Sequence, residues 1–230
     1  MIFSLASKLI KKDNLVRTGN WNQRTNFMGV GLSKKTLGVI GFGRIGQFTA
    51  KYALGNGMEV VAFDPFLPEV ILSIDIADKK VDIPIKTTDL ETLLKNSDYI
   101  SMHVPMPADK KPIISKTEFD LMKDDAFLIN AARGPLIDEA ALYEALSEGK
   151  IGGAGLDVMV DNEPSKDHPL MQLENTLITP HTAFFSQEST LELEERAASE
   201  VVRVYRNSMP ENLVNPEVLE HPNPKRSLKN

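Results

Sequence analysis

A doubly wound α/β fold, with helices on both faces of a parallel sheet, is the architecture that this 230-residue sequence predicts. Three observations carry it. The apolar run 36–40 leads straight into Gly41-Phe42-Gly43-Arg44-Ile45-Gly46 and then into a helical pattern. A second apolar run, 58–63, ends in an acid, Asp64. Beyond it, short apolar runs keep alternating with segments whose apolar residues recur every three or four positions, the pattern of strands joined by crossover helices.

In chain order, the first element is an amphipathic helix, because Ile2, Leu5, Ala6, Leu9 and Ile10 fall at helical spacing. A polar loop around the single Trp, Trp21, follows it. After the first two strands, strands are expected at 99–104, 126–130, 153–156 and 176–178, and helices at 90–94, 117–122, 139–146 and 188–206. Asp89 and Asp138 occupy N-cap positions, and Gly149 is placed to end a helix. Residues 212–230 are Pro-rich and polar, and read as irregular. The division expected is an N-terminal linking helix and arm over 1–31, a dinucleotide-binding domain over 32–207, and a C-terminal return segment and tail over 208–230.

The glycine turn has a physical logic. Gly41 allows the tight turn, Gly43 leaves room for backbone to approach a pyrophosphate, and Gly46 lets the helix pack close to the strand. The phosphates then meet a helix N-terminus, where N–H groups and the helix dipole favour anions. Asp64 lies eighteen residues beyond Gly46, close to the distance at which an acid accepts hydrogen bonds from the adenosine ribose. Pro65-Phe66-Leu67-Pro68 follows with no Arg or Lys to receive a 2′-phosphate, which favours NAD over NADP.

Composition narrows the function. A net charge of −6 argues against a general nucleic-acid surface, although residues 1–35 carry seven Lys or Arg and one acid, Asp13. That basic arm reads as a solvated helix face. With no cysteine, disulfides, thiolate nucleophiles and Cys-ligated metals are excluded; a reducing, cytoplasmic compartment fits. The four His have no metal-ligand spacing, so no metal is expected. No apolar run approaches membrane-spanning length, and the charges near the N-terminus follow the apolar stretch, opposite to a secretory signal.

Three further segments carry chemistry. Asn130-Ala131-Ala132-Arg133-Gly134 puts an Arg just past a buried strand, where its fork of donors suits a substrate carboxylate. Gly155-Leu156-Asp157-Val158, followed by Glu163-Pro164, places acids at and beyond the next strand end. Thr179-Pro180-His181-Thr182-Ala183 places a His at a third. Carboxyl ends of strands in one parallel sheet converge on one cleft.

With the glycine turn and His103-Val104-Pro105, these segments resemble, in order, the motifs of the D-isomer-specific 2-hydroxyacid dehydrogenases, a family that includes phosphoglycerate, glycerate and lactate dehydrogenases. The resemblance covers about Leu15 to Leu219. It implies a Rossmann-like domain binding NAD, and hydride transfer between the nicotinamide and C2 of a 2-hydroxy or 2-keto acid. By that resemblance Arg133 holds the substrate carboxylate and polarises its keto oxygen. His181 exchanges a proton with that oxygen. Glu163 orients His181 and favours its imidazolium. Positions matching cofactor contacts are Gly41, Gly43, Arg44, Ile45 and Gly46, then Asp64, His103, Val104 and Pro105, then Ala131, Ala132, Arg133, Asp157, His181 and Ala183. Family members commonly dimerise through an arm like residues 15–32, so a homodimer is expected, with no nucleic-acid or membrane partner.

Two departures accompany the match. Glu163 lies one position further from Asp157 than in the family's usual spacing, which leaves Asp161 as a second candidate partner for His181. Phe184-Phe185 stands where small residues are usual. Family members also carry a separate substrate domain ahead of the linking helix. This chain begins near that helix, so the resemblance implies a partial sequence in which 212–219 is the segment returning to the substrate domain. The alternative function is an NAD(H)-binding module that works through protein partners, as in corepressors that keep this fold.

Overall fold

The computed structural model describes residues 1–220; the end of the Pro-rich tail, 221–230, lies outside the described residues. Two compact units divide the chain, Met1–Ala183 and Phe184–Asn230.

The first unit is built on a six-stranded, all-parallel sheet: β1 (Thr36–Ile40), β2 (Glu59–Phe63), β5 (Tyr99–Met102), β6 (Phe127–Asn130), β7 (Gly153–Leu156) and β8 (Thr176–Ile178), in spatial order β2-β1-β5-β6-β7-β8. Parallel strands are apolar on both faces because helices cover both. Leu37 and Val39 of β1 enter one core with Ala50, Ala53 and Tyr99, while Ile40 enters the other with Leu93, Ile100 and Leu128. The helices are α3 (Arg44–Gly55), α4 (Leu90–Asn96), α5 (Lys116–Phe119) and α6 (Glu139–Ser147). Asp89 caps α4 by accepting Thr92 N–H at 2.8 Å, and Asp138 caps α6 by accepting the N–H groups of Ala140 and Ala141 at 3.0 and 3.1 Å. Gly149 follows α6 with φ +69°, the left-handed conformation that lets a helix end.

Three expectations change. The N-terminal helix is two helices, α1 (Ile2–Ser7) and α2 (Leu9–Arg17), broken where Lys8 takes a left-handed conformation at φ 53°. Ala6 and Leu15 are buried, whereas Leu9 and Ile10 are exposed, so the apolar stripe does not continue across the break. Between β2 and α4, where no element was expected, a two-stranded antiparallel hairpin stands: β3 (Glu69–Ile76) and β4 (Lys79–Lys86), joined through Ala77 and Asp78. Leu72 and Ile85 are its buried anchors. Within the Pro-rich tail, Pro216–Glu220 forms a 3-10 turn.

The second unit contains α7 (Gln187–Tyr205), started by a reciprocal capping box between Ser186 and Ser189. Phe184 and Phe185 meet edge to face at 5.9 Å. No helix among the described residues is long and apolar enough to cross a membrane.

At the amino ends of β1, β5 and β6, Asp98 accepts Thr36 N–H at 2.7 Å and pairs with Lys123 at 3.2 Å and Lys35 at 3.4 Å. Burial alone pushes this carboxyl up. The Thr36 hydrogen bond and the two ammonium groups outweigh burial and hold it below the usual range. A depressed carboxyl contributes stability above its unfolded value and loses that contribution as pH falls through its folded value. Asp98→Asn is expected to cost on the order of 2 kcal/mol in urea denaturation at pH 7. The gap to wild type should narrow steadily below about pH 4.

Candidate active site and cofactor cleft

The glycine turn joins β1 to α3, and each glycine has a different reason to be one. Gly41 has φ +88°, and a Cβ there would lie 2.5 Å from Val104 Cγ1 and 2.7 Å from the His103 carbonyl oxygen. At Gly46 a Cβ would meet the Gly41 carbonyl oxygen at 2.2 Å, which is how closely α3 packs on the turn. Gly43 faces open space, with nothing within 4 Å of its Cβ position. It is also the N-cap of α3, and no side chain caps that helix. An uncapped helix start facing open space through a glycine fits a pyrophosphate on the donor chemistry alone. Arg44 and Ile45 form the first turn of α3, and the Ile45 side chain is exposed.

Asp64, directly after β2, grips this turn. One carboxylate oxygen accepts Phe42 N–H at 2.8 Å and the other accepts Phe66 N–H at 2.9 Å. Each oxygen keeps a further lone pair, so the same carboxylate that shapes the turn has acceptors for ribose hydroxyls.

His103 follows β5, its N–H bound to the Ile40 carbonyl at 2.7 Å and its Nε2 2.9 Å from Ser101 Oγ. Burial lowers its imidazole to about 4, so the ring is neutral at pH 7. With Ala131 and Ala183 it lines a cavity of about 280 Å³, also bounded by Tyr52 and Ala53 of α3 and by Met1 to Phe3. Val104 packs against Gly41, and Pro105 continues the same segment.

Beyond β6, the buried Asn130 side chain shapes the next loop. Its amide donates to the Arg133 carbonyl at 2.8 Å, and its oxygen accepts Ala132 N–H at 3.0 Å. Arg133 is exposed, and its guanidinium donates to the Ala132 carbonyl at 2.6 Å. Gly134 is pressed against the loop after β7, since a Cβ there would lie 2.0 Å from the Met159 carbonyl group.

Asp157, just past β7, is 1% exposed. Its Oδ1 accepts Thr179 Oγ1–H at 2.6 Å and Thr182 N–H at 2.9 Å, and its Oδ2 accepts Ala183 N–H at 2.9 Å. Its own carbonyl accepts His181 N–H at 2.8 Å. This one residue therefore holds Thr179, His181, Thr182 and Ala183, the start of the loop after β8. His181 is held at φ +55°, a left-handed conformation costing on the order of 1 kcal/mol or more for a non-glycine residue. His181, Glu163 and Asp161 line one cavity of about 530 Å³ with Met171, Leu173 and Ile178.

The structure thus gathers the sequence-derived residues into three neighbouring groups: the glycine turn with Asp64, the His103–Ala131–Ala183 cavity, and the Glu163–His181 cavity. Arg133 follows β6, the strand next to β7 and two strands from β8, and lines neither cavity. Sequence reasoning assigned no role to Asn130, Glu139 or His168. A polar residue ending an apolar strand was the available signal for Asn130, because buried amides are almost always hydrogen-bonded.

Comparison with known proteins agrees with this geometry. Residues 1–183 match the model of the D-isomer specific 2-hydroxyacid dehydrogenase, NAD binding domain. A D-3-phosphoglycerate dehydrogenase of Archaeoglobus fulgidus is 39% identical over 94% of this chain and 39% of its own length. A glyoxylate reductase of Thermococcus litoralis is 38% identical over 95% of this chain and 65% of its own. The crystal structure of D-lactate dehydrogenase with NAD+ from Lactobacillus jensenii superposes with a TM-score of 0.76 at 28% identity, covering 93% of this chain and 65% of that one. The chain thus spans less than two thirds of the length of each of these relatives. A nucleotide turn, a buried aspartate holding a histidine loop and a family match over the same residues agree: the chain belongs to the D-isomer specific 2-hydroxyacid dehydrogenase family and carries its NAD-binding domain.

Proposed function

We propose that this chain supplies the cofactor site and the proton-transfer residues of an NAD-dependent dehydrogenase acting on the CH–OH group of a D-2-hydroxy acid. The observation that supports this most is that Arg133, Glu163 and His181 follow the carboxyl ends of β6, β7 and β8, adjacent strands on the same sheet edge as the glycine turn.

Bound NAD supplies the hydride acceptor in oxidation and, reduced, the hydride donor. The chain's residues do the rest. The turn from Gly41 to Gly46 receives the pyrophosphate on the start of α3. Asp64 accepts from the adenosine ribose and repels a 2′-phosphate, so NAD is favoured over NADP. His103, Val104, Pro105, Ala131, Ala132 and Ala183 form the wall along which the cofactor lies. Asp157 acts from beneath, by holding the loop. Arg133 turns its guanidinium from the Ala132 carbonyl to the substrate carboxylate, pairing through two parallel N–H bonds. His181 gives a proton to the oxygen on C2 during reduction and takes it back during oxidation, and Glu163 orients the imidazole. The whole enzyme works as a homodimer. Its arm carries Trp21 at 64% and Met28 at 77% exposure, large apolar surfaces that a second copy would cover.

Calorimetric titration with NADH checks the cofactor site. Gly43→Ala is expected to keep its stability within about 1 kcal/mol, because φ there suits alanine and the Cβ meets no protein atom. It should still weaken NADH binding at least about tenfold, near 1.4 kcal/mol. Asp64→Arg should lose NADH affinity and gain NADPH affinity. Equal NADH binding by all three proteins would remove the turn from the site.

Turnover is checked in a chimera carrying the substrate domain of a family member, against a panel of 2-keto acids. NADH oxidation is expected, and His181→Gln should lower kcat about 100-fold or more with NADH affinity unchanged. No oxidation of NADH by any 2-keto acid would defeat the proposed reaction. For assembly, light scattering at micromolar concentration should give the mass of a dimer, and a monomer would count against the arm as an interface.

A further inference from the structure

The loop after β7 carries both candidate partners of His181, Asp161 and Glu163, and something must decide which one faces the imidazole. A single carboxylate on α6 holds that loop on both sides of Glu163. Glu139 Oε1 accepts Val160 N–H at 2.7 Å, three residues before Glu163. Its Oε2 lies 3.5 Å from His168 Nε2, five residues after Glu163. His168 Nδ1 accepts Leu170 N–H at 3.3 Å, and an accepting Nδ1 leaves the ring proton on Nε2, the nitrogen 3.5 Å from Glu139 Oε2. The side chains of Glu139 and His168 are 18% and 23% exposed, so this network is largely shielded from water. The base of the clamp is rigid, because Glu139 opens α6 directly after its Asp138 cap. The loop is also pinned from the Arg133 side, where Gly134 abuts Met159.

We infer that Glu139 and His168 are positioning residues, which by fixing the two flanks of the loop set Glu163 rather than Asp161 toward His181. The inference rests on the proposed pairing of His181 with a carboxylate. Asp157, Asp161 and Glu163 are the carboxylates lining the cavity with His181, and no Lys or Arg lines it. Charge alone therefore does not choose between Asp161 and Glu163; the placement of the loop does. The distance from Val160 to His168 leaves a short span, and a span held at both ends presents its tip in one register.

The test is ring-nitrogen NMR of the 230-residue chain, labelled at histidine and recorded near pH 9, where imidazoles are neutral. A His181 held by a carboxylate keeps one tautomer and shows two well-separated ring 15N resonances. Glu163→Gln should draw the two together toward an averaged value, and Asp161→Asn should leave them apart. Glu139→Gln and His168→Gln should reproduce the Glu163→Gln spectrum. His168→Gln removes no carboxylate, so a shift there reports loop position instead of lost charge, and it carries the test if Glu139→Gln fails to fold. The His103 resonances, bound to Ser101 away from this loop, report an intact fold in each variant. Collapse with Glu163→Gln but neither clamp variant would overturn the role of the clamp and leave the pairing standing. Collapse with Asp161→Asn and not Glu163→Gln would overturn the selection of Glu163. No change in any variant would overturn the pairing itself.

Discussion

Six strands running in one direction, the central four buried on both faces, put every carboxyl end on a single edge of the sheet, and the remainder of the site depends on that constraint. Two helical layers have to be present for such a sheet to be buried, and the alternation of Leu37 and Val39 with Ile40 shows both layers being satisfied from one five-residue strand. Once that condition is met, residues far apart in sequence have no choice but to be neighbours. Asn130, Leu156 and Ile178 are paired across β6, β7 and β8, so whatever follows them shares one edge.

An edge is only a place, and buried polar side chains turn it into shaped loops. A carboxylate taken out of water is costly unless its acceptors are filled, and Asp157 fills them with one hydroxyl and two backbone N–H groups from a single loop. The same bonds hold His181 in a backbone conformation that it would not keep alone. Asn130 does the equivalent for the segment ending in Arg133, and Asp64 for the glycine turn. Three strand ends thus use one device, a short polar side chain hydrogen-bonded to loop backbone at the sheet edge: the loop that follows for Asn130, and a loop from another strand for Asp64 and Asp157. Precision in the site comes from these residues, while Arg133, Glu163 and His181 stay exposed.

Much of this architecture was legible. The six strands, the caps at Asp89 and Asp138 and the stop at Gly149 follow from local pattern, because burial on both faces and helix-end hydrogen bonding leave short-range signatures. The β3–β4 hairpin was not legible. Its turn is Ala77-Asp78 without the Gly or Asn that usually supplies a positive φ, and Pro84 interrupts β4 in a run that is otherwise charged at alternate positions. The break at Lys8 was equally hidden, since lysine rarely adopts the left-handed conformation and the apolar spacing runs across it undisturbed.

What the sequence determined by itself is the chemistry available at each strand end: a glycine turn with an acid downstream, an arginine, two candidate carboxylates and a histidine, in an order shared with one family. Those are local facts, carried by residue type and short spacing. The tertiary structure alone decided which of the polar residues face inward. Asp157 reaches residues more than twenty positions away, and Glu139 reaches both Val160 and His168; no window along the chain contains such partners. Hydrogen bonds between distant segments exist only after the sheet has brought its strand ends together, and so the division of labour between holding the site and forming it is a property of the folded chain.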